Sequence, residues 1–307
     1  MGQTSTENLS TLISPGTETT ASNQPQLSRT LPGRPLFVIE QSSAWKPINL
    51  GEIWAARELF YFLVWRDIKV RYKQTALGIL WVVLQPLIMI AIFTICFGRL
   101  AGIDQQTSRI PYPVFAFAGL LLWNFFANAL NNSSNSLVSN TTLITKIYFP
   151  RSLLPAAAVV AGLADFIVAS LLFAGMVMYY RVPATPHLLL APVIVSGVVL
   201  LGIGLGLIFS AVNVKYRDVR HALPFLIQVW MFASPVIYPA AIVPERWRWM
   251  LAFNPMTGFI ETFRAAVFAH KPINWGILLV SATITLVVLL AGSFFFRRLE
   301  KSFADVI

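Results

Sequence analysis

Six windows of this chain, residues 74 to 98, 110 to 130, 152 to 180, 188 to 212, 222 to 244 and 272 to 296, contain no Lys, Arg or Glu, and one Asp, Asp165, interrupts them. A backbone in hydrocarbon must satisfy its N–H and C=O groups internally, and about 20 apolar residues suffice for a helix to cross. The windows therefore predict an all-α, polytopic membrane protein with six transmembrane helices. Composition agrees, with 56% hydrophobic and 12% charged residues against about 25% charged in a soluble domain. The net charge of +10 lies in short clusters between the apolar runs, so it reads as topology and not as a nucleic-acid face. The one cysteine, Cys96, lies inside the first window, which leaves no disulfide framework and no zinc spacing.

Residues 1 to 35 are polar and rich in Ser and Thr, and are expected to form a disordered tail; residues 36 to 76 form an N-terminal segment, and 77 to 307 the transmembrane domain. Six spans put both termini on one side. That side carries fourteen Lys and Arg: Lys46, Arg57, Arg66, Lys69, Arg71, Lys73, Lys146, Arg151, Lys215, Arg217, Arg220, Arg297, Arg298 and Lys301. The other side carries seven: Arg99, Arg109, Arg181, Arg246, Arg248, Arg264 and Lys271. The positive-inside bias makes the first side, with both termini, cytoplasmic.

Two segments do not read as spans. Residues 51 to 78 place Ile53, Phe60, Val64 and Ile68 along one helical side, with Glu58, Arg66, Lys69 and Lys73 on the other. Such a helix lies on the membrane interface, where a basic face suits an anionic leaflet. Phe62, Asp67 and Arg71 break the pattern and point to contact with another protein. Between spans 5 and 6, residues 245 to 271 hold an apolar stretch, 249 to 260, too short to cross. It predicts a re-entrant helical hairpin with both ends on the outer, periplasmic side. Pro255 restricts Asn254 and lacks an amide proton, so the hairpin breaks there, with Asn254 capping a second short helix.

The search for chemistry is mostly negative. No Gly precedes Lys, so there is no Walker A loop, and HExxH, CxxC and GxSxG do not occur. His187, His221 and His270 are far apart and read as interfacial residues, with no metal site expected. Energy for any transport then comes from an ion gradient or from a partner. Asp165 alone could serve a gradient-driven carrier; it either orders helix packing through a hydrogen bond or takes part in moving cargo. Trp123, Phe125, Phe126, Trp230 and Phe232 offer aromatic faces to a cargo, or anchor spans at the interface. Gly202, Gly204 and Gly206 contain a small-xxx-small step for close helix packing.

Four ordered stretches, "RDIKVRYKQTALGILWVVLQPL" (66 to 87), "NSLVSNTTLITKIYFPRSLLP" (135 to 155), "NVKYRDVRHALPFLIQVWMFASPVIYP" (213 to 239) and "NPMTGFIETFR" (254 to 264), resemble the permease subunits of ABC-2 polysaccharide exporters. Those permeases move O-antigen, capsule or teichoic-acid chains. The resemblance implies a homodimer of six-helix permeases in the inner membrane, joined to two copies of a separate ATPase. ATP and Mg would be bound by that partner, and this chain would hold no cofactor. Lipid-linked polysaccharide is the implied cargo, membrane lipids surround the chain, and no nucleic acid is involved. The ATPase would grip the turn 145 to 151, with Lys146, Ile147, Tyr148, Phe149 and Arg151 in the coupling helix. Arg66, Asp67 and Arg71 would join it, as would the charged knot at Arg217, Asp218 and Arg220, which also reads as a solvated turn. Trp123, Phe126, Asp165, Trp230 and Phe232 become channel candidates, and Asn254, Pro255 and Arg264 a periplasmic gate. A lipid- or drug-exporting permease would share the spans but lack the full motifs. A membrane-embedded glycan-modifying enzyme would need clustered carboxylates or basic residues at one interface.

Overall fold

The computed structural model describes residues 50–73, 78–100, 102, 110–183, 185–268, 272–300 and 303. The tail at 1 to 35, together with Lys46, Arg109, His270, Lys271 and Lys301, lies outside the described residues. Every regular element among the described residues is helical: α1 (Leu50–Ala55), α2 (Arg57–Lys73), α3 (Gly78–Phe93), α4 (Tyr112–Ser139), α5 (Thr141–Lys146), α6 (Leu153–Ala161), α7 (Leu163–Tyr179), α8 (Ala191–Lys215), α9 (Val219–Ala233), α10 (Glu245–Ala252), α11 (Pro255–Phe268) and α12 (Trp275–Glu300). A π-helical segment, Thr94–Leu100, extends α3. Five stretches are long and apolar enough to cross a membrane: Val83–Leu100, Tyr112–Ser139, Leu153–Tyr179, Pro186–Lys215 and Trp275–Glu300.

The window at 222 to 244 is the one realised differently. Helix α9 has 15 residues, about 22 Å, short of the roughly 30 Å of a hydrocarbon core. It ends because Pro235 disfavours a helical residue before it, and Ser234 is extended at φ −106° and ψ 145°. The irregular backbone that follows is buried from 234 to 237, where its carbonyls need donors. Arg264 donates to Pro235 O at 2.7 Å and to Val236 O at 2.5 Å, and the Tyr112 hydroxyl donates to Ile237 O at 2.8 Å.

Helix α4 runs through the centre of the bundle. Its stretch from Val114 to Trp123 is buried without interruption, and α3, α6, α7, α8, α9 and α11 pack around it. The three glycines of α8 serve three neighbours. Gly206 faces Ser133 of α4, and Gly202 faces Val159 of α6. At Gly204 helix α12 comes so close that a Cβ would lie 2.9 Å from the backbone of Leu289. Close backbone approach is what the small-residue step predicts.

A second apolar core forms where Leu137 of α4, Ala211 and Val214 of α8, Leu153 and Leu154 of α6, and Phe296 of α12 meet. Leu63 of α2 and Ile144 of α5 complete it. The window 152 to 180 is not one smooth helix: α6 and α7 part at Gly162, whose N–H bonds to Val159 O at 3.1 Å. Asp165 therefore sits in the first turn of α7.

Helix α2 inverts its expected orientation. Leu59, Phe60, Leu63 and Val64, with Ala56 just before the helix, pack on the second core, so Phe60 and Val64 of the expected stripe meet protein. Trp54, Tyr61, Phe62 and Trp65 point outward instead, with Arg57 over the Trp54 ring at 6.0 Å and Lys69 over Trp65 at 5.3 Å. The stripe turned inward because a folded neighbour offers tighter packing than a headgroup layer.

Candidate functional site

The turn after α5 presents Lys146, Ile147 and Tyr148 to the outside, with Tyr148 fully exposed at 101%. Phe149 does the opposite. It is buried in the second core beside Leu153 and Ile144, which corrects the expectation that it is offered to a partner: backbone alternation in the turn sends adjacent side chains to opposite faces. Arg151 folds back and donates to Glu300 O at 3.2 Å, tying the turn to the end of α12. The turn is thus a rigid prominence with an aromatic tip, seated on a core shared with α2, α4, α6, α8 and α12.

The charged knot is the tight turn between α8 and α9. Lys215, Arg217, Asp218, Arg220 and His221 are all exposed. Lys215 lies over the Tyr216 ring at 5.3 Å. Arg66 and Asp67 pair with each other at 2.8 Å. Arg71 corrects a second expectation: it is spent within the chain, in an ion pair with Asp165. The Tyr72 hydroxyl donates to the other oxygen of the same carboxylate. Burial and the Asp165 carboxylate hold the Tyr72 hydroxyl above the ordinary tyrosine value, because both disfavour the phenolate. Asp165 thereby joins the end of α2 to the start of α7, through cation and phenol.

The aromatic candidates divide. Trp123 and Phe126 are buried and meet Trp230 edge-on at centroid distances of 6.1 and 5.2 Å, while Phe125 packs against Phe166. These rings pack against one another in the interior of the protomer. Their spacing along one helix is that of a core stripe. Phe232 is exposed.

At the predicted hairpin the break falls where expected. Asn254 Oδ1 accepts from the Met256 N–H at 3.1 Å, and Pro255 opens α11. The same amide is anchored on both sides, accepting from Trp230 Nε1 at 3.2 Å and donating to Ser234 Oγ at 2.7 Å. Arg264 is not near a surface. It is 4% exposed, lies 3.7 Å from the centre of the Phe115 ring, and donates to Glu261 at 3.1 Å besides its carbonyls. A guanidinium with its fork of donors serves several carbonyls at once, so the residue assigned to a gate is a bolt between α4, α11 and the end of α9. A cleft between α10, α11 and the start of α12 is lined by Arg248, Thr257, Glu261 and Trp275.

One feature of α4 escaped the sequence reading. Between residues 114 and 136, the side chains of α4 that are not buried are Asn124, Ala127, Asn128, Asn131, Asn132 and Asn135. All but one are asparagine. Steps of three and four residues place them in one strip. Asn135 binds back to Asn131 O at 2.9 Å and accepts from Asn213 at 3.2 Å. Among the described residues, the side chains of Asn124, Asn128 and Asn132 make no hydrogen bond. An amide left without a partner in hydrocarbon costs about 2–7 kcal/mol, which disfavours lipid tails along the strip. The spacing was legible in the sequence; only the fold shows that this strip alone stays uncovered.

The ABC-2 type transporter family model matches residues 58–268. An O-antigen export system permease protein of Myxococcus xanthus is 31% identical over 259 residues, covering 83% of this chain and 98% of that protein. An O-antigen export system permease protein of Klebsiella pneumoniae is 28% identical, covering 84% and 97%. A polysialic acid transport protein of Escherichia coli is 28% identical, covering 77% and 92%. The matched region runs from α2 to the end of α11 and takes in more than half of the chain: the chain belongs to the ABC-2 type transporter family.

Proposed function

We propose that this chain is the membrane-spanning permease subunit of an exporter that moves a lipid-linked polysaccharide across a bacterial inner membrane. The observation that carries the reading is the end-to-end similarity to O-antigen export permeases, which covers 98% of the Myxococcus protein. A separate ATPase, in two copies on a homodimer of this chain, supplies the energy and binds ATP and Mg. Tyr148, with Ile147 and Lys146, is its main contact: a fully exposed aromatic on a rigid turn is the kind of anchor that a pocket on another protein buries. Arg217, Asp218 and Arg220 supply a charged rim beside it, and the outward aromatic and basic face of α2 meets headgroups.

In this reading α9 and the irregular backbone at 234 to 239 together make a sixth crossing, with both termini cytoplasmic by the excess of Lys and Arg on that side. Helices α10 and α11 form the re-entrant hairpin on the outer side, pivoting at Asn254. Deleting the gene should remove the surface glycan and leave its lipid-linked precursor inside the cell, with recovery on complementation. Normal surface glycan in the deletion strain would refute the proposal.

A further inference from the structure

The asparagine strip of α4 carries an inference beyond the identity of the subunit, and it rests on the polysaccharide reading above. Helix α4 is the span that the fold encloses most, with 78% of its apolar window buried against 17% to 33% in the other four. On such a helix a gap in coverage is specific, and this gap is filled by amides. Asn124 to Asn135 spans about 16 Å along the helix axis. Ser139, also exposed, and Asn140, partly so, continue the lane to the end of the bundle that carries α5 and the Tyr148 turn. Val138 at its edge is the one large apolar neighbour exposed there.

We propose that this strip is the hydrophilic track for the exported glycan, with Asn124, Asn128, Asn131 and Asn132 hydrogen-bonding its hydroxyl groups in passing. The chemistry of the strip selects that cargo. A primary amide both donates and accepts, as a sugar hydroxyl does, so each amide can meet successive hydroxyls whichever way they point. The strip carries no charge, so no contact is strong enough to hold the polymer still. Conduction requires several sites, each favourable enough to enter and weak enough to leave. Lipid tails would leave the amides unpaired, and a charged cargo would be matched by Arg or Lys, which the strip lacks.

The test uses the full chain with its ATPase, in inverted membrane vesicles. With Cys96→Ser as background, Asn128→Cys and Asn132→Cys are probed with a charged maleimide, and Leu171→Cys, on the exposed apolar side of α7, serves as control. Vesicles come from cells that make the lipid-linked glycan and from cells blocked in its first glycosyl transfer. The expected result is labelling of both strip positions, at least fivefold slower when the glycan is present, with the Leu171 position unlabelled throughout. Absence of labelling would overturn the proposal, and so would disulfide formation between two copies at Asn128, which would make the strip a subunit contact. Equal labelling with and without glycan would overturn the cargo assignment even where the deletion strain has lost its surface glycan, which separates failure of this inference from failure of the proposed function.

Discussion

At Tyr148 and Phe149 two adjacent aromatic side chains take opposite environments, one fully exposed and the other 8% exposed in the second core. The sequence marks both as a partner's anchors, since a turn that needs only to be wet has no use for either. The fold assigns one to the partner and the other to the chain itself. Phe149→Ala should therefore destabilise the permease by about 3–5 kcal/mol, seen as lower membrane levels and a lower unfolding temperature in detergent. Tyr148→Ala should change stability by no more than about 0.5 kcal/mol, while ATPase co-purification falls and export is uncoupled. Normal export with Tyr148→Ala, or normal stability with Phe149→Ala, would contradict this division. Arg264 and Arg71 teach the same lesson with charge. Both read as interfacial cations, yet one satisfies buried carbonyls of the α9 end and the other the carboxylate of Asp165.

Among the elements, α8 and α12 meet backbone to backbone. A Cβ at Gly204 would press on the backbone of Leu289, and one at Gly292 on the carbonyl of Gly204. Backbone cannot swing aside as a flexible side chain can, so the helices would have to separate. Gly204→Ala should cost about 1–3 kcal/mol, against the gain of roughly 1 kcal/mol that alanine brings to a helix interior. Gly175, in α7, has nothing within 4 Å of its would-be Cβ, so Gly175→Ala is the matched control, expected to be neutral or stabilising. Thermal unfolding of the two purified variants compares them directly, and equal melting behaviour would show that α12 yields more easily than its packing indicates. The breaks at Gly162 and Asn254 belong to this scale too. The second is local chemistry, a proline with a capping amide before it, and was readable; the first depends on the seating of α7 against α2 and α4, and was not.

For the whole molecule, the open geometric matter is how α9 relates its two ends. Its helix is too short to cross alone, yet the buried backbone after it has donors for the carbonyls of Pro235, Val236 and Ile237. Irregular backbone is tolerated at membrane depth only where protein satisfies it in this manner. With Cys96→Ser as background, Arg217→Cys should therefore react with an impermeant thiol reagent from the cytoplasmic side and Glu245→Cys from the outside of the cell. Both are exposed ends of their elements. Reaction of both from one side would make α9 a re-entrant segment and leave five crossings.

The sequence by itself determined that this is a helical membrane protein, where five of its spans lie, and where α11 begins. Those outcomes follow from constraints that act locally: long apolar runs in hydrocarbon satisfy their backbone groups within a helix, and a proline preceded by a capping amide opens a new helix at Pro255. The four ordered motifs likewise carried the family. What only the tertiary structure decided is which way each side chain faces. Trp123, Phe149 and Arg264 have the residue types of a channel wall, a docking tip and a surface gate, and each was claimed by neighbours far away in the chain, Trp230, the second core and residues 235 and 236. In a chain whose helices are apolar on nearly every side, periodicity cannot separate the face that meets lipid from the face that meets protein. The asparagines of α4 stand in the sequence at helical spacing, but that they remain uncovered is a property of the helices around them.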